Sequence, residues 1–227
     1  MTAYRRYGLY VVPEGAFYRS GAAWLGWDSV QGSRVVHPDI DGLPRPVSEI
    51  TATPRKYGFH GTIKPPFRLA DGMTERALRD AVAALCTTLA PVEIPALQLR
   101  RLGGFVAIVP VEASDALSHL AAEAVKGIDI FRGQPDETEL TRRRKAGLTE
   151  RQEALLDKWG YPYVMDEFRF HLTLTGKLGS EAGTVAETLR PYFTPLLPNP
   201  FRIDSLCLVG EDETGMFHML HRYTLSG

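Results

Sequence analysis

Two histidines, His60 and His171, each stand two residues ahead of a threonine, Thr62 and Thr173, inside a short apolar run. Successive side chains of a β-strand point to opposite faces. As a strand, the later run puts Phe168, Phe170, Leu172 and Leu174 on one face and Arg169, His171, Thr173 and Thr175 on the other. The earlier run groups Tyr57, Phe59, Gly61 and Ile63, opposite His60, Thr62 and Lys64. Each strand would bury an oily side and present an imidazole, a hydroxyl and a cation on its other side. That set suits phosphodiester chemistry. Imidazole titrates near neutrality, so a neutral and a protonated copy can serve as base and acid. A threonine hydroxyl donates to a non-bridging oxygen, and Lys64 and Arg169 would balance phosphate charge. The competing reading makes the cations solvated strand ends and the histidines core residues with satisfied hydrogen bonds.

A lone His-x-Thr is weak, because short motifs match by chance. The pair gains weight from its surroundings. Each motif strand is followed by a helical pattern and then a hairpin. After the first, Thr74 has the character of a helix N-cap, ahead of Ala77, Leu78, Ala81, Val82, Leu85 and Leu89 at helical spacing. Strands over 94–102 and 105–111 then flank the turn dipeptide Gly103-Gly104. After the second come a helix over 180–192 and a hairpin of 201–209 with 216–225. His60 to Gly104 and His171 to Gly215 are both separations of 44 residues. This order predicts a duplicated strand-helix-strand-strand unit whose pseudo-twofold brings the two histidine strands together.

The remaining chain must position that pair. Tyr7 to Val12 reads as a strand stopped by Pro13, followed by a helix over 15–27. Residues 28–54 lack periodicity and predict a long loop of the kind that walls or covers a site. Ser114 caps a helix to about Lys126, and two short helices over 137–145 and 149–159 break at Gly147. The run Arg142-Arg143-Arg144-Lys145 lies there, either as a solvated helix face or as a phosphate clamp with Arg143 as a ligand. Tyr163, Tyr7 and Tyr10 either wall a pocket, where an aromatic ring could stack on a base, or pack in the core.

Composition sets the frame. With 227 residues, the chain predicts one domain, 1–227, of two lobes at approximately 1–112 and 113–227. Twenty-six basic against 27 acidic residues give a net charge of −1, which argues against a protein that coats DNA or membrane but leaves room for a small basic pocket. No apolar run approaches the roughly 18 residues of a membrane span, and the first residues lack a signal-peptide pattern, so a cytoplasmic protein is expected. Cys86 and Cys207, far apart in apolar contexts, read as buried free thiols. Metal-binding spacings, a phosphate loop, a dinucleotide fingerprint and a Gly-x-Ser-x-Gly elbow are all missing, so neither metal nor cofactor is expected.

Paired His-x-Thr strands on a duplicated unit resemble the two-histidine (2H) phosphoesterase superfamily. The strings Tyr57-Gly58-Phe59-His60-Gly61-Thr62-Ile63-Lys64-Pro65-Pro66-Phe67 and Phe168-Arg169-Phe170-His171-Leu172-Thr173-Leu174-Thr175-Gly176 resemble one bacterial branch, often encoded beside phosphonate-degradation genes. Trp24-Leu25-Gly26-Trp27-Asp28 and Gly160-Tyr161-Pro162-Tyr163-Val164-Met165 extend the likeness over nearly the whole chain. The resemblance implies a bilobal α+β fold with two antiparallel sheets flanking a central cleft. It implies metal-independent chemistry with His60 and His171 as acid and base, in an order left open, and Thr62 and Thr173 on the phosphate. For this branch it implies a small ribose cyclic phosphate, such as a 5-phosphoribosyl 1,2-cyclic phosphate. Two alternatives stand beside it. RNA end processing would call for a basic groove and salt-dependent binding, which the balanced charge disfavours. A phosphate-binding module without turnover is the other.

Overall fold

Helices begin where a side chain can accept a backbone N–H left free by the first turn. Thr74, Ser114 and Thr149 accept from the amides of Ala77, Leu117 and Gln152, and Thr149 completes a capping box with Gln152. The computed structural model describes residues 4–145 and 147–227. Its elements open with β1 (Arg6–Val11), α1 (Gly15–Leu25), the short pair β2 (Trp27–Asp28) and β3 (Ser33–Arg34), and α2 (Val47–Ile50). Next come β4 (Gly61–Phe67), α3 (Glu75–Cys86), β5 (Val92–Ile94), β6 (Leu97–Leu102), β7 (Phe105–Pro110) and α4 (Asp115–Gly127). The chain continues through α5 (Glu137–Arg144), α6 (Glu150–Trp159), β8 (Leu172–Thr173), α7 (Ala182–Phe193), β9 (Phe201–Ile203), β10 (Ser205–Glu211) and β11 (Phe217–Thr224).

The fold is α+β. Seven antiparallel strands run in the order β11-β10-β1-β4-β8-β7-β6. The two expected sheets are present as a four-stranded and a three-stranded half, joined at the seam by one residue pair, Gly61 with Leu172. Strands β5 and β9 form a separate pair, so 201–203 leaves the hairpin in which it was expected.

The halves of the sheet are not the halves of the chain. Hairpin β6–β7, which follows β4 in sequence, pairs with β8; hairpin β10–β11, which follows β8, joins β1 and β4. The helices cross over with them: α3 packs on β10 and β11, α7 on β6 and β7. Lobes split near residue 112 therefore do not describe the sheet. An alternating pattern says which face a strand buries but not which neighbour it pairs with.

The later motif is a strand only over Leu172–Thr173. A 3-10 turn, Met165–Glu167, delivers the chain to it, and beyond it the amides of Leu174 and Thr175 both donate to the Val106 carbonyl. The earlier motif enters its strand at Gly61, with Gly58, Phe59 and His60 linking it to a 3-10 turn that ends at Tyr57. The loop expected over 28–54 contains β3 and α2. Cys86 and Cys207 are free and buried. Among the described residues, no helix is long and apolar enough to cross a membrane.

Candidate active site

In an antiparallel pair, residues directly opposite one another share a face. The Gly61–Leu172 pair therefore sets His60 across from Thr173 and Thr62 across from His171, with all four side chains on one face at the seam. Gly61 makes the pairing possible. A Cβ on it would lie 2.3 Å from Cε2 and 2.4 Å from Cζ of Phe170, whose ring fills that space. Gly21 of α1 admits the Phe59 ring in the same way, with a virtual Cβ 2.2 Å from it. Both rings are buried, so each motif is anchored by the aromatic residue before its histidine.

The two histidines repeat one local hydrogen bond. His60 Nδ1 lies 2.9 Å from the Gly58 carbonyl and His171 Nδ1 2.8 Å from the Arg169 carbonyl. A carbonyl only accepts, so Nδ1 carries a proton in both rings and Nε2 is the nitrogen left to give or take one. Gly58 reaches its position with φ +72°, a left-handed region open to glycine, and a Cβ there would sit 2.8 Å from Ser29. His60 Nε2 receives the Thr62 hydroxyl at 3.0 Å. Tyr10 lies flat on the His60 ring, with centroids 3.7 Å apart and planes 16° off parallel. Burial lowers the His60 pKa to about 4, against the Gly58 hydrogen bond and helped by repulsion from His171. His60 is therefore neutral at pH 7. His171 leans on Phe105, centroids 5.8 Å apart.

These residues border a cleft of about 470 Å³, within the usual size of small-molecule sites. His60, Thr62, Thr173, Arg143 and Tyr163 line it. His171 stands beside it, across the seam from Thr62, and is not part of its lining. Arg143 pairs with Glu139 and holds its guanidinium 4.6 Å from the centre of the Tyr161 ring. Tyr163 is 42% exposed and stacks edge-on with Tyr161. Tyr10 reaches the cleft, whereas the hydroxyl of Tyr7 donates to Glu75 elsewhere.

Lys64 and Arg169 are not brought to the cleft. Along β4 the pairing with β1 slips twice, so Thr62 faces Tyr10 while Lys64, two residues on, faces Leu9. Tyr10 and Leu9 lie on opposite faces, and Lys64 is turned away from Thr62. It is 2% exposed and donates to the Val125 carbonyl and to Asp129, both at 2.9 Å. Arg169 bends back on its own turn, donating to the Asp166 and Phe168 carbonyls at 2.9 and 2.7 Å.

Arg6, Arg142, Tyr57 and Tyr161 also line the cleft. Arg6 had a sequence signal: it shares a face of β1 with Tyr10, four residues on. Strand alternation puts Tyr57 on a buried face, but it ends a 3-10 turn instead and lines the cleft. Among the described residues, no three His, Cys, Asp or Glu side chains gather where they could hold a metal ion.

Residues 62–218 match the family described as Protein of unknown function (DUF1045). The chain is 35% identical over 218 residues to "Ribose 1,5-bisphosphate phosphokinase PhnN" of Janthinobacterium sp. (strain Marseille), covering 92% of this chain and 48% of that one. Its counterpart in Laribacter hongkongensis (strain HLHK9) is 30% identical over 220 residues, covering 96% and 51%. The chain thus spans about half the length of these curated relatives. Solved structures that align with it include one described as a phosphoesterase, at 13% identity, and E. coli LigT complexed with 3′-AMP, at 11%. Both have a TM-score of 0.47 and cover 99% of this chain and 100% of their own.

Proposed function

We propose, for a chain that belongs to the family described as Protein of unknown function (DUF1045), the activity of a two-histidine phosphodiesterase that opens a cyclic phosphate on a small phosphorylated sugar. The observation that carries this reading is the seam register, which sets each histidine across from the other motif's threonine on one face. Two imidazoles, two hydroxyl donors and a cleft then surround one position where a phosphorus atom would sit.

The chemistry follows from the two imidazoles. Neutral His60 takes a proton from water through Nε2, and the water oxygen attacks phosphorus. The ring P–O bond breaks on the far side, and its oxygen takes the proton from Nε2 of protonated His171. One water is consumed, a phosphomonoester and a hydroxyl result, and solvent returns both histidines to their starting states. Thr62 and Thr173 donate to the non-bridging oxygens as negative charge builds there. In the free protein, Thr62 occupies the lone pair of the base; an arriving anion draws that hydroxyl to itself.

The substrate class rests on the relatives' printed name, which contains a ribose carrying phosphates at two carbons. A 5-phosphoribosyl 1,2-cyclic phosphate, formed in phosphonate catabolism, fits that class. The chain spans about half of those relatives and has no phosphate-loop motif, so their named phosphokinase activity is not carried over to it. Four tyrosines around the cleft would also suit a stacked base, which keeps an RNA end with a 2′,3′-cyclic phosphate as the second reading. Phosphorus NMR of both substrates with purified protein in excess chelator separates the two. Conversion of the sugar cyclic phosphate to a monoester at least a hundredfold faster than the RNA end is expected; the reverse preference would install the second reading, and no turnover of either would remove both.

A further inference from the structure

We infer that Arg6, Arg142 and Arg143 form a second anion subsite in the same cleft, which holds a phosphomonoester of the substrate that does not react. The inference rests on the cyclic-phosphate reading and names what the rest of the substrate must carry.

Charge is distributed asymmetrically around these arginines. Three arginines line the cleft, and none of its described lining residues is Asp or Glu. The carboxylates that steady them, Glu211 for Arg6 and Glu139 for Arg143, line a neighbouring groove instead. Arg6 and Arg142 border both hollows, and the two acids lie on the groove side only.

Two of the arginines keep donors in reserve. Nε of Arg143 is buried and has no hydrogen-bond partner. A buried donor without a partner is costly, so a turn of the Arg143 side chain that brings this nitrogen to an oxyanion in the cleft would relieve that cost. Arg142 is exposed, and its nearest carboxylate oxygen, on Glu139, is 3.9 Å away, beyond hydrogen-bond reach. Its planar fork is free to turn onto a phosphate, which it can grip through two N–H groups.

Spacing sets the size of the occupant. Arg6, Gly8 and Tyr10 share one face of β1, and Tyr10 carries the His60 ring. Four residues of strand span about 13 Å between Cα atoms, and both side chains border the one cleft. The Tyr10 ring lies over Gly8 between them, where a Cβ would be 3.2 Å from it. One pentose bridges a phosphate at the histidines and another at the arginines.

The test compares ribose 1,2-cyclic phosphate with its 5-phosphorylated form. The wild-type protein should prefer the latter at least a hundredfold in kcat/KM, mostly through KM. Arg142→Ala and Arg143→Met should each cut that preference at least tenfold. Arg144→Ala, on the same helix but paired with Glu153 and Asp157, should preserve it. An undiminished preference in Arg142→Ala and Arg143→Met, or none in the wild type, overturns the subsite. Calorimetry with ribose 5-phosphate reads the subsite without turnover. Binding at least tenfold weaker in the Arg142→Ala/Arg143→Met double variant, with Arg144→Ala like wild type, supports it even where no cyclic phosphate is opened; that failure would remove only the catalytic reading. Equal affinity in all three proteins overturns it.

Discussion

The ring of Phe170 occupies the space that a side chain on Gly61 would need, so the residue before the second histidine is locked onto the centre of the first motif. This contact and the Gly61–Leu172 pair hold the seam on which the candidate site is built. Gly61→Ala forces the ring aside and should cost about 1–3 kcal/mol by overpacking. Because His171 follows Phe170, kcat should fall more than KM rises. Adding Phe170→Leu should restore part of the stability lost to Gly61→Ala. Urea unfolding with steady-state kinetics checks both, and a Gly61→Ala protein of full stability and activity would show that the contact holds nothing.

Lys64 gives a prediction opposite to the one its place in the motif suggests. Its ammonium is buried against Asp129, which also accepts from Arg132 at 2.9 and 3.0 Å. Lys64→Met should destabilise the fold by roughly 3 kcal/mol, the usual loss on breaking a buried ion pair from one side. KM should change less than about twofold. A large rise in KM at normal stability would return Lys64 to the phosphate.

His60 makes stability depend on pH in a defined window. Folded, its pKa is about 4; unfolded, it returns to about 6.5. Between those values the unfolded chain binds a proton that the folded chain does not, so stability falls with falling pH. The contribution is fully present above 6.5 and is lost as pH drops toward 4. From pH 7.5 to 5, wild type should lose roughly 2 kcal/mol more than His60→Asn in urea unfolding.

Tyr10 should set the acid limb of activity. With His60 as base, kcat/KM should stay level from pH 6.5 to 5 and fall near 4. Tyr10→Leu removes the stacked ring and admits water, which should move that limb upward by about one unit. Tyr10→Phe keeps the ring and should keep the limb. A wild-type limb centred at 6.5 would take the role of base away from His60.

Much of this site was legible in the sequence. Alternation within each motif placed His60 with Thr62 and His171 with Thr173, and the matched spacing to Gly104 and Gly215 indicated that the two strands belong to equivalent units. Local rules succeeded where local chemistry decides, as at the caps Thr74, Ser114 and Thr149. They failed where a strand slips. The register shift along β4 reversed Lys64, and no residue type announces it beyond Pro65 and Pro66. Arg169 was lost because the later strand is two residues long and its guanidinium finds carbonyls nearer than any ligand. The exchange of hairpins was invisible, since pairing partners depend on how α3 and α7 cross the sheet and not on any one strand's pattern.

In the proposed mechanism, two imidazoles from opposite sides of the seam act on one phosphodiester in one step. The measurement that tests it most directly is kcat/KM for His60→Ala, His171→Ala and the double variant on a single cyclic phosphate, with folding verified for each. Groups that act as a unit are not additive. Each single variant should lose about a thousandfold or more, and the double variant should be little worse than either. Losses that multiply in the double variant, or a single variant that keeps wild-type turnover, would contradict it.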